Sequence, residues 1–347
     1  MKIFITGATG FIGSHLVGRL THTEHQMCCL VRDPGRAKRL QELGAKLVQG
    51  DVTDKASVMK GMKGCDWVFN LANIYTFWMP DKRAYEEINV EGTRNVMQCA
   101  LELGISKVIH LSTYAIWAKS GESPFNEETP VTPYQVSEYA RSKYEGDVIA
   151  WEFCEKRGLP LVMIYPGNVL GEGDKKPTGQ FVGDIVHRKQ PVNAFVDTVF
   201  TFVHVRDVVE ATLKAAEKPD NIGQKYIVAN QQLPWGELAA IAARISGSSL
   251  PRFTLPGPLA LATGAMLTLL ADITKKPPLW GLSLDAARTL TTSLKADGSK
   301  AQGELGITYT SIQLALEEAV TSCMAKDVRL DATAGSDPSS QAESVCQ

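Results

Sequence analysis

The sequence predicts an α/β protein, a doubly wound parallel sheet followed by a smaller, mainly helical part. Short β-branched runs alternate with helical patterns over the first half, which is typical of a parallel sheet with helices on both faces. These runs are almost continuously apolar, as expected of strands that are buried on both sides. The 347 residues also correspond to about two domains, at roughly 150 residues for each.

Along the chain, the pattern predicts six strands and five helices before residue 166. The predicted strands are residues 2–5, 26–31, 46–49, 67–71, 107–111 and 161–165. The predicted helices are residues 12–20, 37–43, 55–62, 90–103 and 139–157. Two later β-branched runs, residues 202–205 and 225–229, are expected to return to the sheet.

The domain organisation follows from where this alternation stops. Residues 1–165, rejoined by about 200–232, form the first predicted domain. The later chain is mainly helical and punctuated by prolines, so residues 166–199 and 233–325 form a discontinuous second domain. Residues 326–347 contain few large apolar side chains, which predicts a disordered tail.

Composition and charge exclude several classes of function. Lys and Arg total 36 against 38 Asp and Glu, so the net charge of −2 offers no attraction for a nucleic acid. The seven cysteines have no spacing typical of a metal site or a disulfide framework, so we expect reduced thiols and no metal. The N-terminus shows no secretory signal pattern, and we expect a cytoplasmic protein.

The most apolar segment, residues 259–273, is shorter than the about 20 helical residues that cross a bilayer. We interpret it as part of a lid or a dimer surface, and membrane contact is not expected. Attachment to a membrane surface is the alternative, because Lys275 and Lys276 follow the segment and could meet lipid phosphates.

A glycine-rich turn joins the first predicted strand to the first helix. Its glycines, Gly7, Gly10 and Gly13, allow a tight turn, close approach of a pyrophosphate and close packing of the helix on the strand. The spacing is GxxGxxG instead of GxGxxG, so an ordinary glycine-rich turn is the alternative. Its position in the first βα unit favours a dinucleotide site, to which the intervening Thr9, Phe11 and Ile12 would contribute.

The end of the second predicted strand indicates which dinucleotide binds. Arg32 can place its planar guanidinium on a 2′-phosphate, which favours NADP(H) over NAD(H). Asp33 would favour NAD(H) if it met a ribose hydroxyl, but it could instead pair with Arg32 or Arg36, or serve the turn before Pro34.

Further candidate contacts follow the third and fourth predicted strands. Asp51, beside Val52, could accept a hydrogen bond from the adenine amino group, or it could be the acidic residue at a helix N-terminus. Leu71, Ala72 and Asn73 lie at the same carboxyl edge of the sheet, where open α/β folds bind ligands. The small Ala72 would let a cofactor pass close to the backbone.

A tyrosine and a lysine provide the candidate chemistry. Tyr139 and Lys143 are four residues apart, on one face of a predicted helix. A lysine at that distance is expected to lower the tyrosine pKa and to hold a ribose, although a surface pair has the same spacing. Ser112 and Thr113 end the fifth strand, and one of them could orient a substrate oxygen; capping the next turn is the alternative.

These residues resemble the extended short-chain dehydrogenases/reductases, also called the NAD-dependent epimerase/dehydratase group. The matching segments are residues 6–13, 50–52, 89–93, 112–113, 139–143, 165–171 and 202–208, which together span most of residues 1–229. Within that group, residues 31–34 and 74–81 are most similar to the dihydroflavonol-4-reductase-like reductases.

The resemblance implies a Rossmann-type fold and a catalytic triad of Thr113, Tyr139 and Lys143, with Ser112 beside the triad. It implies that Pro166, Gly167 and Val169 lie along the nicotinamide and that Asn168 helps to form the substrate pocket. Trp78 is expected in an apolar substrate pocket, with ordinary packing as the alternative. Departures from the family pattern at Asn73, Trp117 and Ala118 are expected to reshape the pocket. A homodimer through residues 90–103 and 139–157 is implied by the resemblance alone.

Three functions are weighed on this basis. The first is an NADP(H)-dependent oxidoreductase that reduces a ketone or aldehyde of an apolar small molecule, with Tyr139 as the general acid and the second domain binding the substrate. The second is a nucleotide-sugar epimerase or dehydratase, whose hydride returns within one cycle. The third is a regulator that senses NADP without catalysis, although such proteins often lose the tyrosine or the lysine.

Overall fold

The structure, a computed structural model, describes residues 1–118 and 124–334, with side chains described up to residue 325. Its strands are β1 (Lys2–Thr6), β2 (Gln26–Val31), β3 (Lys46–Gln49), β4 (Trp67–Asn70), β5 (Lys107–Leu111), β6 (Leu161–Pro166), β7 (Asn168–Leu170), β8 (Asn193–Ala194), β9 (Val199–His204), β10 (Lys225–Val228), β11 (Gln231–Pro234) and β12 (Thr254–Leu255). Its helices are α1 (Phe11–Leu20), α2 (Lys38–Glu42), α3 (Lys55–Met62), α4 (Arg83–Tyr85), α5 (Gly92–Glu102), α6 (Glu138–Arg157), α7 (Pro177–Val186), α8 (Val205–Glu217), α9 (Trp235–Ser246), α10 (Gly257–Thr274), α11 (Leu284–Leu290), α12 (Ser299–Leu305) and α13 (Ile312–Ala334).

Seven strands form one parallel sheet in the order β10-β6-β5-β4-β1-β2-β3. The order reverses beside β1, so β1 and β4 flank the point where a doubly wound sheet opens a crevice for ligands. The predicted Rossmann-type α/β fold is confirmed. All six strands predicted in the first half are present, as β1 to β6.

Helices cover both faces of this sheet because its strands alternate their side chains. In β1, Ile3 and Ile5 pack in the cluster that contains α1 and α8, whereas Phe4 points to the opposite cluster with α3 and α5. All three side chains are fully buried, and each such burial contributes about 1.5–3 kcal/mol. The two clusters fix the parallel strands between them, so the loops that follow the strands lie along one edge of the sheet.

Of the two later β-branched runs, the second joins the main sheet and the first does not. Residues 225–228 join the sheet as β10, as expected, but residues 202–204 belong to β9, which pairs with β7 and β11 in a separate three-stranded sheet, and residue 205 begins α8. The reason lies at Gly167, where an added Cβ would lie 2.6 Å from the Thr201 carbonyl oxygen. This close approach brings the chain after β6 alongside β9 and away from the main sheet.

The C-terminal part is mainly helical, and α7, α9 and α13 pack together around Trp235, whose ring centroid lies 4.2 Å from that of Phe181. One of its helices departs from the predicted division, because Ala301 and Leu305 of α12 pack in the same core cluster as α1 and α8. Helix α13 continues to Ala334, so the first nine residues of the predicted tail are helical. The rest of that tail, residues 335–347, lies outside the described residues.

Helix α10 is longer than the apolar segment predicted from the sequence. It has 18 residues and is long and apolar enough, by length and composition alone, to cross a membrane. The helix exceeds residues 259–273 because Pro258 occupies its first turn, where a proline is tolerated, and because it ends only at Lys275, which adopts a left-handed conformation with φ 57°.

Candidate active site

A cleft of about 410 Å³ lies at the carboxyl edge of the main sheet. Every residue predicted from the sequence for the cofactor lines this cleft except Lys143, which is buried beneath it. These lining residues are Gly7, Thr9, Gly10, Phe11, Ile12, Arg32, Asp51, Val52, Leu71, Ala72, Asn73, Tyr139, Pro166, Gly167 and Val169. The predicted substrate residues Thr113 and Asn168 line it as well. Residues from the ends of six parallel strands therefore meet in one place.

The glycine turn leaves no room for a side chain at two of its three glycines. Gly7 has φ +70°, and an added Cβ would lie 2.6 Å from the Leu71 carbonyl carbon. At Gly13 an added Cβ would lie 2.2 Å from the Gly7 carbonyl oxygen, which keeps α1 close against the turn. The Gly10 N–H donates to the Gly7 carbonyl oxygen at 2.9 Å and closes the turn. Two of the three glycines are thus required by close backbone contacts.

Helix α1 presents a free N-terminus to the cleft. Its N-cap residue is Gly10, no side chain caps it, and its first turn contains no acidic residue. The unpaired N–H groups and the positive end of the helix dipole suit an anion such as a diphosphate. Together with the open backbone at Gly7 and Gly13, these donors fit the dinucleotide that the fold implies.

Of the two arginines after β2, Arg36 pairs with Asp33 and Arg32 does not. The Asp33 carboxylate accepts a hydrogen bond from the Gly35 N–H at 2.9 Å and lies 3.4 Å from the Arg36 guanidinium. Arg32 is exposed, lines the cleft, and forms no ion pair within the part of the chain that the structure describes. Asp33 therefore stabilises the turn that follows β2 and pairs with Arg36, which are two of the roles considered for it from the sequence.

Asp51 lines the cleft and does not cap a helix. Its carboxylate accepts hydrogen bonds from the Thr53 N–H and hydroxyl at 3.0 Å, whereas Asp54 caps α3. After β4, the Ala72 N–H donates to the Thr6 hydroxyl at 3.1 Å. This bond holds the chain after β4 against the glycine turn and keeps the cleft narrow at that point.

Helix α6 holds the tyrosine and lysine predicted to react. It begins where the Ser137 hydroxyl accepts a hydrogen bond from the Ala140 N–H at 3.2 Å, and it ends at Gly158, which has φ 73°. Tyr139 is buried at the start of the helix with its ring in the cleft. One turn later the Lys143 ammonium donates to the Leu111 carbonyl oxygen at 2.9 Å.

Burial moves the pKa values of both groups, in opposite directions. Burial and the neighbouring Tyr75 raise the pKa of Tyr139, while a hydrogen bond with the Thr113 hydroxyl partly opposes that rise. Burial lowers the pKa of Lys143 to about 8, with Asp147 opposing the change. The sequence-based prediction that the tyrosine pKa is lowered is therefore wrong. Desolvation of the phenol dominates and raises the pKa of Tyr139.

The two hydroxyls after β5 point to different groups. The Ser112 hydroxyl donates to the Asp147 carboxylate at 2.7 Å, which occupies it inside the protein. Thr113 instead turns towards Tyr139, and its hydroxyl also accepts from the Ala115 N–H at 3.2 Å. The structure thus places Thr113, and not Ser112, beside the phenol.

Asp147 was not identified from the sequence, although it lies one turn after Lys143. Its second carboxylate oxygen lies 3.6 Å from the His110 Nε2 atom, and both residues are almost completely buried. Burial lowers the pKa of His110, with Asp147 opposing that change, and the His110 Nδ1 atom is 2.9 Å from the Asn70 amide nitrogen. Asp147 is therefore the buried carboxylate whose charge opposes the loss of the lysine proton.

Aromatic side chains enclose the phenol. The ring centroids of Tyr75 and Phe77 lie 4.9 and 6.2 Å from that of Tyr139. Trp78, predicted for the substrate, is absent from the residues that line the cleft, and its indole N–H donates to the Asp272 carboxylate on α10 at 2.8 Å. Trp117 is buried and stacks on Phe125 at 5.6 Å, so it packs in the core.

The sequence reasoning also missed residues that complete the cleft wall. Ile74, Ile88, Asp174 and Lys176 line it together with Tyr75. Burial raises the pKa of Tyr75 to about 12, with a hydrogen bond to Thr178 opposing the rise. Asp174 and Lys176 precede α7, so the C-terminal part closes one side of the cleft. Their loop has no periodic pattern that could have indicated this position.

Comparison with known proteins agrees with this geometry. The sequence pattern of the NAD dependent epimerase/dehydratase family matches residues 3–229. A Synechocystis protein named "Putative dihydroflavonol 4-reductase" is 30% identical over 325 residues, covering 91% of this chain and 93% of that protein. The sterol demethylase protein B of Methylococcus capsulatus is 28% identical and covers 92% of this chain and 97% of its own length.

A solved structure extends the similarity to the whole fold. The crystal structure of gox2253 superposes with a TM-score of 0.80 at 29% identity, covering 93% of this chain and 98% of that one. The family pattern covers the glycine turn, the residues after β4 and β5, and α6. The chain therefore belongs to the NAD dependent epimerase/dehydratase family, within the extended short-chain dehydrogenases/reductases, and is an NAD(P)-dependent oxidoreductase.

Proposed function

We propose that the protein is an NADP(H)-dependent reductase that converts a ketone or aldehyde of an apolar small molecule to an alcohol. The observation that carries this proposal is the Tyr139 phenol, buried in the cleft beside the Thr113 hydroxyl and enclosed by the rings of Tyr75 and Phe77. A pKa raised by burial keeps the phenol protonated at neutral pH, as a proton donor must be.

Each residue then has a separate role in the reduction. When bound, the reduced nicotinamide supplies the hydride that adds to the carbonyl carbon. The Thr113 hydroxyl holds the carbonyl oxygen by a hydrogen bond, and the Tyr139 hydroxyl donates its proton to that same oxygen. The Lys143 ammonium, fixed by the Leu111 carbonyl oxygen, would bind the ribose hydroxyls of the cofactor.

The apolar wall supports an apolar substrate. Tyr75, Ile74 and Ile88 line the cleft next to the phenol, and Asn168 offers one polar group there. The name of the Methylococcus relative refers to a sterol, which is consistent with a large apolar carbonyl compound. We place the substrate between this wall and the loop before α7, with Asp174 and Lys176 at its rim.

A reductase and an epimerase are separated by the balance of cofactor and product. Incubation with NADPH and a panel of carbonyl compounds is expected to consume one NADPH for each alcohol formed, measured by absorbance at the nicotinamide band and by chromatography. An epimerase would return the hydride and consume no NADPH. Binding of NADP without conversion of any carbonyl compound would favour the sensing regulator instead.

The exposed guanidinium after β2 is proposed to select NADP(H). Arg32→Ala is expected to reduce the affinity for NADPH about 10- to 100-fold, because a hydrogen bond to a charged group contributes about 1.5–3 kcal/mol. NADH affinity should stay the same, since NADH has no 2′-phosphate. Arg36→Ala removes a second exposed arginine, which pairs with Asp33, and it is the matched control. Equal losses for NADPH and NADH, measured by fluorescence titration, would contradict this assignment.

Asp147 is expected to set the upper pH limit of the reaction. Asp147→Asn removes the negative charge that opposes desolvation of Lys143, so the pKa of Lys143 falls below its present value of about 8. The ammonium then loses its proton at a lower pH. The decline of NADPH affinity with rising pH should shift to lower pH in this variant. Asp147→Glu, which keeps the charge, should restore the profile, and an unshifted profile in Asp147→Asn would contradict the role.

A further inference from the structure

Helix α10 exposes an apolar face to solvent. Five of its large apolar side chains are exposed, and two more follow in the next turn. Their exposed fractions are 56% for Leu259, 56% for Met266, 62% for Leu269, 49% for Leu270, 70% for Ile273, 61% for Leu279 and 56% for Trp280. Residues 257–271 contain no charged side chain at all. We call these seven side chains, five on α10 and two in the short turn after it, the outer face of α10. A group of exposed large apolar side chains of this kind marks an interaction site.

The opposite side of α10 is fixed to the protein. Ala260, Gly264, Leu267 and Ala271 are buried, and an added Cβ at Gly264 would lie 3.2 Å from the Ala287 Cβ on α11. The Thr268 hydroxyl accepts a hydrogen bond from the Leu284 N–H at 2.7 Å, and it donates to the Gly264 carbonyl oxygen. The helix therefore lies along the protein surface, and only its outer face is available to a partner.

Two lysine side chains lie at the C-terminal end of α10. Lys275 and Lys276 follow α10 directly, and neither forms an ion pair among residues 1–118 and 124–325. The two carboxylates on which Lys275 acts are already engaged: Asp272 binds Trp78 and Lys82, and Asp81 binds Arg83. Unpaired ammonium groups next to an exposed tryptophan are what an anionic lipid surface attracts.

We propose that the outer face of α10, with Lys275 and Lys276, docks on the surface of an anionic lipid bilayer. The helix lies flat, its leucine, isoleucine and methionine side chains enter the boundary of the acyl chains, and the two lysines meet lipid phosphates. Charge complementarity favours an anionic lipid surface as the partner. An interface between two copies of the chain would gain nothing from the unpaired cations at the end of this face.

The docking face is connected to the reacting group by a short series of contacts. The Asp272 carboxylate of α10 accepts the Trp78 indole N–H, and the Ser283 hydroxyl before α11 donates to the Phe77 carbonyl oxygen at 2.8 Å. The Phe77 ring contacts that of Tyr139. These contacts join α10 to the loop whose Phe77 ring faces Tyr139, so a docked helix would hold the cleft close to a bilayer in which an apolar substrate dissolves. This last step rests on the proposed reduction of an apolar carbonyl compound, whereas docking itself does not.

Vesicle sedimentation with the full chain tests the docking. The protein is expected to pellet with vesicles that contain about 30% phosphatidylserine, and much less with pure phosphatidylcholine. Lys275→Glu should weaken binding at least about fivefold, since one lysine near such a surface contributes about 1 kcal/mol. The double variant Leu269→Glu with Ile273→Glu should abolish it. Ile222→Glu, an exposed apolar position elsewhere, is the matched control and should bind as the wild type does.

Several outcomes overturn the proposal. They are no pelleting by the wild type, equal pelleting with both vesicle types, or unchanged pelleting by the double variant. A dimer in sedimentation velocity that the double variant dissociates, without lipid binding, would assign the face to a second copy. Reduction of a water-soluble aldehyde is measured in the same variants. Reduction without docking refutes the docking alone, and docking without reduction of any carbonyl compound refutes the proposed function alone.

Discussion

Tyr139→Phe is expected to lower kcat for carbonyl reduction by about 10²–10⁴-fold, the range that a positioned proton donor contributes. The substitution removes only the hydroxyl, so the ring continues to fill the space against Tyr75 and Phe77. The affinity for NADPH and the Tm should therefore stay near the wild-type values. Steady-state kinetics, a fluorescence titration with NADPH and thermal unfolding measure the three quantities on one preparation.

A second tyrosine supplies the control. Tyr134 lies five residues earlier, is 77% exposed and makes no contact with the cleft, so Tyr134→Phe should reduce carbonyl compounds at the wild-type rate. If Tyr139→Phe keeps more than about a tenth of the wild-type kcat, the phenol is not the proton donor. A loss confined to KM would give it a role in substrate binding alone.

The pKa values of the buried pair agree with the proton-donor role proposed for Tyr139. Burial raises the pKa of the phenol and lowers that of the ammonium, so both groups are displaced towards their neutral forms. The proposed reduction uses the phenol in this protonated form. Among the causes acting on Lys143, Asp147 alone opposes the displacement.

Much of the site could be predicted because its parts are local in sequence. The glycines of the first turn, and the tyrosine and lysine one helical turn apart, lie within short segments whose geometry follows from backbone rules. The carboxyl ends of parallel strands meet at one edge, so residues after β2, β4 and β6 could be assigned to the same cleft from their place in the alternation.

The rest depends on contacts between distant segments. Tyr75 and Trp78 lie in one loop without a periodic pattern, and only packing decides that the first faces Tyr139 while the second binds Asp272 on α10. The sign of the tyrosine pKa shift could not be read from the spacing to Lys143, because desolvation depends on everything around the phenol. Asp147 is one helical turn from Lys143, yet its role became visible only with Ser112 and His110 beside it.

Gly13→Ala should be the most damaging single-methyl substitution in the cofactor turn. Its Cβ would lie 2.2 Å from the Gly7 carbonyl oxygen and 2.8 Å from the Ala8 Cα, and both neighbours are backbone atoms that cannot rotate away. Helix α1 must move off the turn, which takes its N-terminal N–H groups away from the diphosphate. We expect NADPH affinity to fall at least about tenfold, and the free energy of unfolding to fall by about 1–3 kcal/mol, as for other overpacked sites.

Gly18 in the same helix separates the effect of this contact from that of helix composition. An added Cβ at Gly18 would meet no atom within 4 Å, so Gly18→Ala should bind NADPH like the wild type. Its free energy of unfolding should rise by about 0.5–1 kcal/mol, since alanine is the better helix former. Isothermal titration with NADPH and chemical denaturation compare the two variants directly. Wild-type affinity in Gly13→Ala, or an equal loss in Gly18→Ala, would show that the close approach of α1 to the turn does not create the dinucleotide site.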